Sequence, residues 1–395
     1  MIEEIKEGDV LRADISTVAF GGDGVARIGN LVAFVPFTVD GDVVDVAVTA
    51  VRKNFIRGAL KKVVEPSPYR VEPECKYYSI CGGCQYQHIS YGHQIAIKEK
   101  QVRESFQRIG KLSDMPAREI RQSPAAYHYR GKAEFHCDLM QKKIGFMDVG
   151  GGVLIDIENC SLMDESINQE LEKLRLKMQS EDMDRPSGRR YAFWSGTPYM
   201  AVSYVTRRIM DRDLRVPYRG FFQANTVLTE KLLESVISMI EPSSSEVILD
   251  CYCGSGLFAL FLAERARKVF GIEIDKRAVD CARHNLKYNG YKNCEFLKGS
   301  VVDVLQKRFI RDHIHIDSVL LDPPREGCSQ GVLEGLSRLK PSRLVYVSCN
   351  PATQARDIKY LMEQGFFLKM LEPIDMFPQT RHIEVIALMT YGKED

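Results

Sequence analysis

The chain has 395 residues, 45% hydrophobic and 27% charged, with a formal net charge of +1. That length exceeds one compact core, so about two or three domains are expected, and near-neutrality leaves any nucleic acid to be met by local basic surface instead of a global field. No apolar run approaches the ~18 residues of a membrane span, the opening "MIEEIKEGDVLRAD" has no apolar h-region, and the eleven cysteines, odd in number and scattered, do not form a secreted disulfide framework. The expectation is a cytoplasmic protein without a membrane partner, a monomer by default.

Residues 1–65 read as a small β-barrel. "DVLRADISTVAF", "GVARIGNLVAFVPF", "DVVDVAVTAVRKN" and "FIRGALKKVVEP" are short alternating or β-branched runs, punctuated by Gly21-Gly22-Asp23-Gly24, Gly29-Asn30 and Asp40-Gly41. Arg52, Lys53, Arg57, Lys61 and Lys62 surround Phe55. Oligonucleotide-binding barrels use such a mixture, cations for phosphate and aromatics for bases, although a solvated strand face has the same pattern.

Residues 66–215 follow the proline-punctuated linker "EPSPYRVEPEC" and read as a central, mostly β domain. "CKYYSICGGC" supplies Cys75, Cys81 and Cys84, a C-x5-C-x2-C cluster. Four thiolates can hold zinc or an iron-sulfur cluster, and spacing does not choose between them. Cys137 and Cys160 are the candidates for a fourth ligand, Cys160 being favoured by its polar turn. In "SYGHQIAIKEKQVRESFQRIGKL", Ile95, Val102, Phe106 and Ile109 share one helical stripe, and this helix, about 91–112, is a candidate to pack on the catalytic domain. "YRGKAEFHCDL", "KKIGFMD" and "RYAFWSG" read as strands, with an amphipathic helix in "SLMDESINQELEKLRLKMQS".

From residue 216 to 395 strands and helices alternate: "EVILDCY", "GLFALFLAERA", "KVFGIEI", "KRAVDCARHNLKYNG", "DSVLLD", "GVLEGLSRL" and "RLVYVSC". This grammar predicts an open, mostly parallel sheet with helices on both faces, whose ligands sit at the carboxyl ends of strands. Asp250 closes a strand before Gly254 and Gly256, and Glu273 ends the next strand. The glycines admit a ligand close to the backbone, and the glutamate suits ribose hydroxyls. The third glycine of a dinucleotide fingerprint is missing, which favours a nucleoside without phosphates such as S-adenosylmethionine.

Three further residues converge on that rim. Asp322 ends the strand in "VLLDPPREGC", where Pro323-Pro324 forces an extended exit and the carboxylate can accept a hydrogen bond from a ring nitrogen. Cys349 follows the strand "LVYVS" and precedes Asn350-Pro351. Glu384 is read in the middle of the apolar strand "HIEVIALM", with His382 on the same face. Burial raises a glutamate's pKa and makes it a proton acceptor or donor near neutrality.

Together these motifs, with "FFQAN", "GIEID", "VSCNP" and the cysteine cluster, resemble the S-adenosylmethionine-dependent RNA uracil-5 methyltransferases over essentially the whole chain. The barrel looks like a TRAM domain, and barrel plus cysteines is similar to the iron-sulfur members that modify 23S rRNA. The resemblance implies a Rossmann-like class I methyltransferase domain and makes Cys349 the nucleophile and Glu384 the base. It also implies cofactor contacts from Gln223, Tyr252, Gly254, Gly256, Glu273 and Asp322, substrate contacts from Phe221 and Asp322, and a [4Fe-4S] cluster on Cys75, Cys81, Cys84 and Cys160. Leu257 stands where relatives often carry a polar residue, and Ser300 replaces a commoner polar or acidic residue on the adenine side. The alternatives are a tRNA substrate, or a non-catalytic iron-sulfur RNA-binding protein on a degenerate fold.

Overall fold

The computed structural model describes residues 5–180, 190–198 and 202–392; residues 1 and 395, the expected outer limits of the first and last domains, lie outside them. The N-terminal runs form β1 (Val10–Val18), β2 (Gly24–Ile28), β3 (Leu31–Val35), β4 (Val43–Val51) and β5 (Phe55–Glu65), which close into a barrel in the order β1-β2-β3-β5-β4. Their alternation sends Val35, Val44, Val46 and Ile56 into a fully buried interior. Gly24 lies where an added Cβ would stand 2.0 Å from the Thr38 hydroxyl oxygen, so only glycine lets β2 pass that corner. Arg52, Lys53, Arg57, Lys61 and Lys62 are all exposed.

The helix α1 (Tyr91–Arg108) packs against the C-terminal domain through Ile95, Val102 and Phe106. Ile109 does not join them. The helix ends at Arg108, and Ile109, at the cap, is 40% exposed. A second face of α1 is buried although it is polar: Gln94, Lys98, Gln101 and Ser105.

The central strands β6 (Lys132–Asp138), β7 (Lys143–Met147), β8 (Leu154–Asp156) and β9 (Arg190–Trp194) form an antiparallel sheet in the order β8-β7-β6-β9. Helix α2 (Glu165–Gln179) is capped by Asp164, whose carboxylate accepts from the Ser166 N–H. It buries Ile167, Leu171, Leu174 and Met178 in one cluster with Phe135, Ile144 and Phe193 of the sheet. The hairpin of β10 (Tyr204–Ile209) and β11 (Arg212–Pro217) behaves differently. Its Val205, Ile209, Leu214 and Val216 belong to the core of the domain that follows.

That domain runs through α3 (Thr229–Ile240), β12 (Val247–Cys251), α4 (Leu257–Leu262), β13 (Lys268–Glu273), α5 (Lys276–Tyr288), β14 (Cys294–Lys298) and α6 (Val301–Val304). A π-helical turn, Leu305–Ile310, precedes β15 (Ser318–Leu321), α7 (Gln330–Leu339), β16 (Arg343–Ser348), α8 (Pro351–Glu363), β17 (Phe366–Ile374) and β18 (Glu384–Tyr391). The sheet order is β14-β13-β12-β15-β16-β18-β17. Pairings from β14 to β16 are parallel, and β18 is antiparallel to both β16 and β17. Successive residues divide between two apolar layers. Ile248, Leu320 and Val345 enter one, and Leu249, Leu321 and Tyr346 the other, as a sheet covered on both faces requires. Among the described residues, no helix is long and apolar enough to cross a membrane.

Glu384 opens β18 instead of lying mid-strand, and His382 belongs to the loop before it. Pro378 and Gln379, whose φ is +65°, break the extended chain that the apolar pattern suggests. The two side chains therefore share no strand face.

Candidate active site

The rim is built by strand pairing. β16 and β18 run antiparallel with Ser348 opposite Val385. One step further along each chain brings Cys349 and Glu384 to the same end of the sheet. Asn350 then caps α8 by accepting the Ala352 N–H, with Pro351 at the first helical position. Cys349 is thus held between a strand end and a helix start.

Burial pushes the Cys349 thiol up to about 11, with Glu384 and Asp322 adding to the rise and Arg325 opposing it. Glu384 is only 5% exposed. Burial raises its pKa well above the usual carboxylate range, Asp322 adds to the rise, and Arg325 again opposes it. Burial alone pushes Asp322 up to about 7. One thiol, two carboxyls and one guanidinium therefore act on each other at one spot. Such mutual perturbation at a strand-end crevice is a physical mark of reactive sites.

Arg325 stands in the motif "DPPREG", where the sequence pattern singles out only Asp322. Its backbone carbonyl accepts from the Asn350 side-chain amide at 3.1 Å and from the Thr353 hydroxyl at 3.2 Å. The loop after β15 is tied in this way to the start of α8. The signal for Arg325 was present, since a cation immediately after the proline pair must leave the loop on the ligand side or face solvent.

A second cluster lies along the rim. Glu273 accepts the Gly254 N–H at 3.0 Å through one carboxylate oxygen, and the Ile274 and Asp275 N–H groups at 2.7 and 2.8 Å through the other. Gly254 has φ +54° and nothing within 4 Å of an added Cβ, so it faces open space. Gly256 has φ +81°, and a Cβ there would meet Phe296 at 2.9 Å, so this glycine serves packing. Tyr252 also adopts positive φ, +65°, a costly conformation for an aromatic residue and one expected at functional turns. Two buried oxygens beside the turn, Asp250 Oδ1 and Ser255 Oγ, have no hydrogen-bond partner among the described residues. Unsatisfied buried oxygens beside an open glycine turn fit a polar ligand such as a nucleoside. Leu257 is buried in the core, and Ser300 caps α6 by accepting the Asp303 N–H; each has a local structural task.

Cys75, Cys81, Cys84 and Cys160 all line one cavity of about 650 Å³, and its walls continue to Phe221, Gln223, Arg325 and His382. Phe221 is 76% exposed and Gln223 is buried. Burial pushes the Cys84 thiol up to about 12, with Cys160, Cys81 and Cys75 adding to the rise. Cys137 is not among them: it is buried in the central core, its thiol 3.8 Å from the Met178 sulfur. Among the described residues, no group of three or more His, Cys, Asp or Glu is gathered tightly enough to hold a metal ion.

Comparison with known proteins identifies the family. The sequence profile of the tRNA (uracil-5-)-methyltransferases matches residues 163–391, more than half of the chain. The chain belongs to that family. The TRAM profile matches residues 4–61, which span all of the closed barrel but the end of β5, so this RNA methyltransferase carries an N-terminal TRAM domain. Uncharacterized RNA methyltransferases of Clostridium tetani and Nostoc sp. are similar to it at 30% and 32% identity, each alignment covering 98% of this chain and 97% of the relative. Among solved structures, the Pyrococcus abyssi tRNA (uracil-54, C5)-methyltransferase in complex with S-adenosyl-L-homocysteine is similar at a TM-score of 0.74 and 25% identity, covering 96% of this chain and 100% of that one.

Proposed function

We propose that this methyltransferase methylates carbon 5 of a uridine in RNA through a covalent adduct at carbon 6, and that its substrate is 23S rRNA. The observation that carries the reaction is the β16–β18 register, which brings Cys349 to Glu384 beside Asp322 and Arg325. Carbon 5 of uracil is a poor nucleophile. When the Cys349 sulfur bonds to carbon 6, the ring's double-bond electrons move to carbon 5 and the carbonyl, giving an enolate. Arg325 favours the thiolate needed for that addition. Bound S-adenosylmethionine supplies the electrophilic methyl group. Glu384 then takes the proton from carbon 5, the ring double bond re-forms, and the carbon–sulfur bond breaks to restore the thiolate. Asp322 orients the ring by accepting from its N–H, and exposed Phe221 offers a stacking face for a base leaving its helix.

For the cofactor, Glu273 retains acceptor capacity for ribose hydroxyls after its three backbone bonds, Gly254 leaves room beside it, and Tyr252, Gly256, Gln223 and Asp322 complete the proposed contacts. Cys75, Cys81, Cys84 and Cys160 are the proposed ligands of a [4Fe-4S] cluster, a reading supported by the one cavity they share and by the resemblance to iron-sulfur relatives. The barrel-plus-cysteine architecture supports rRNA. The whole-chain likeness to the P. abyssi enzyme supports a second reading, a tRNA substrate. Mass spectrometry of both RNAs from cells with and without the gene distinguishes them.

The reaction is tested with radiolabelled S-adenosylmethionine and substrate RNA. Cys349→Ala should form no adduct. Glu384→Gln should accumulate a methylated protein–RNA adduct that survives denaturing gels, since only elimination stalls. Normal turnover by Glu384→Gln would place the base elsewhere, and a labelled adduct with Cys349→Ala would overturn the nucleophile.

A further inference from the structure

The segment that joins β17 to β18 ends at Glu384, and helix α1 holds it from one side. Ile374 pairs with Glu384 across the two strands, and the connection begins with the next residue, Asp375. Its carboxylate accepts from Lys98 Nζ at 2.6 Å, with both side chains fully buried. The same ammonium donates to the Phe377 carbonyl at 3.1 Å. One helical turn earlier, Gln94 donates to Gln379 Oε1 at 2.9 Å and accepts the Gln379 N–H at 3.0 Å. The Gln379 carbonyl in turn accepts the N–H groups of Gln85 and Tyr86. Two residues later, Arg381 donates to the Gly21 carbonyl of the barrel at 3.2 Å.

A helix anchored only by packing would bury its apolar stripe and leave polar residues in water. Here a fully buried ammonium and a fully buried amide point at one loop. Burying a charge is costly, and exchange for apolar residues is often neutral or stabilising, so stability alone does not account for Lys98. The loop has its own cost: Gln379 is an L-residue at φ +65°, a conformation that persists only when its surroundings enforce it. The enforcement comes from α1 and the segment before it.

We infer that Gln94 and Lys98 are positioning residues for the base: they set the loop from Asp375 to Arg381 so that Glu384 meets the carbon-5 proton. This rests on the proposed role of Glu384. General bases require placement within hydrogen-bond reach, and displacement by ~1 Å can cost about 10²-fold in rate. Loosening the loop should therefore slow elimination while leaving thiol addition and methyl transfer in place. The tie between Arg381 and Gly21 extends the same frame to the barrel, so the domain that meets RNA and the base that finishes the reaction share one scaffold.

Two variants of the full-length protein test this. Gln379→Gly removes the bond that Gln94 donates to Oε1 and relieves the positive φ, while the backbone N–H bond to Gln94 remains, so it should loosen the loop without unfolding the chain. Lys98→Met combined with Asp375→Asn removes both buried charges together. Each is compared with wild type and Glu384→Gln for S-adenosylmethionine affinity, thermal midpoint, and label trapped on protein during turnover with substrate RNA. The expected result is normal cofactor affinity and a trapped fraction raised toward that of Glu384→Gln, with turnover lowered by about 10²-fold. Turnover and trapping like wild type in both variants, while Glu384→Gln traps, would overturn the positioning role alone. Loss of cofactor affinity together with turnover, without trapped label, would overturn it in favour of a purely structural role. Normal turnover by Glu384→Gln would overturn both this inference and the assignment of the base.

Discussion

The Nη2 of Arg325 stands 3.4 Å from the Nε2 of His382, while the same guanidinium bears on the Cys349 thiol. Burial holds the imidazole neutral, its pKa lowered to about 3, with Arg325 the next cause. A neutral ring can accept from the guanidinium and steady it without competing for charge.

Removing that guanidinium should make the Cys349 thiol harder to ionise. Arg325→Met is expected to raise the thiol's pKa beyond about 11, because burial and the two carboxyls remain. Each unit of rise lowers the thiolate fraction about tenfold below the pKa. Iodoacetamide alkylation of Cys349, followed against pH by mass spectrometry, should show its rising limb displaced upward. An unmoved limb would mean that Arg325 does not govern the thiol.

Asp322 gives a pH signature in the substrate-free enzyme. Burial raises it from 3.8 to about 7, so below neutrality it is protonated and no longer an anionic acceptor. An acid limb in kcat/KM is expected near pH 7, absent from the weak residual activity of Asp322→Asn. The linkage has a definite sign. The folded state holds this proton more tightly than the unfolded chain, so the stabilisation is full below pH 3.8 and lost as pH rises through about 7. Asp322→Asn should therefore melt higher than wild type at pH 8 and nearly the same at pH 3. Equal melting points at pH 8 would contradict the burial cost.

For the cysteines, anaerobically purified protein should be brown and hold about four irons per chain. Cys160→Ser should lose iron, whereas Cys137→Ser should keep it, because Cys137 lies in the central core and not on the shared cavity. Stoichiometric zinc without iron would refute the cluster. Iron loss from Cys137→Ser alone would exchange the fourth ligand.

On the barrel, Arg52, Lys53, Lys61 and Lys62 are exposed. Replacing all four by Ala should weaken RNA binding and flatten its salt dependence. Each phosphate of a single strand that is no longer neutralised lowers the log–log slope by up to about 0.7. Cofactor affinity should not change. Fluorescence anisotropy at several salt concentrations checks this, and identical slopes would reduce the stretch to a solvated face.

How much of this was legible depended on whether the chain's own period carried the information. The barrel and the parallel strands were readable because β-branched runs between glycine turns have few other uses. β17 was not: Lys369, Glu372 and Pro373 interrupt "FFLKMLEPI", and a bulge between Leu368 and Met370 shifts its register. The β10–β11 hairpin, rich in arginine, gave no sign that its apolar residues join a later domain. Within the site, Cys349, Asp322 and Glu273 could be placed at strand ends because each strand is an apolar run that stops at a polar residue. Glu384 was put too deep in its strand, since "HIEV" has no local breaker and the loop before it is shaped by α1, far away in sequence. Pairings of that range leave no mark on local pattern. Lys98 and Gln94 look like ordinary solvent-facing positions for the same reason.

The sheet order has a consequence for synthesis. β18 lies between β16 and β17, although β17 leaves the ribosome first. Until β18 arrives, β17 lacks its strand partner and the edge of β16 stays open. A growing chain at that stage already holds Cys349 and the glycine turn, but not Glu384. On the proposed assignments it could grasp a uridine without being able to let it go. On the same assignments, inserting β18 fills the gap between β16 and β17 and brings in the proposed base in one folding step.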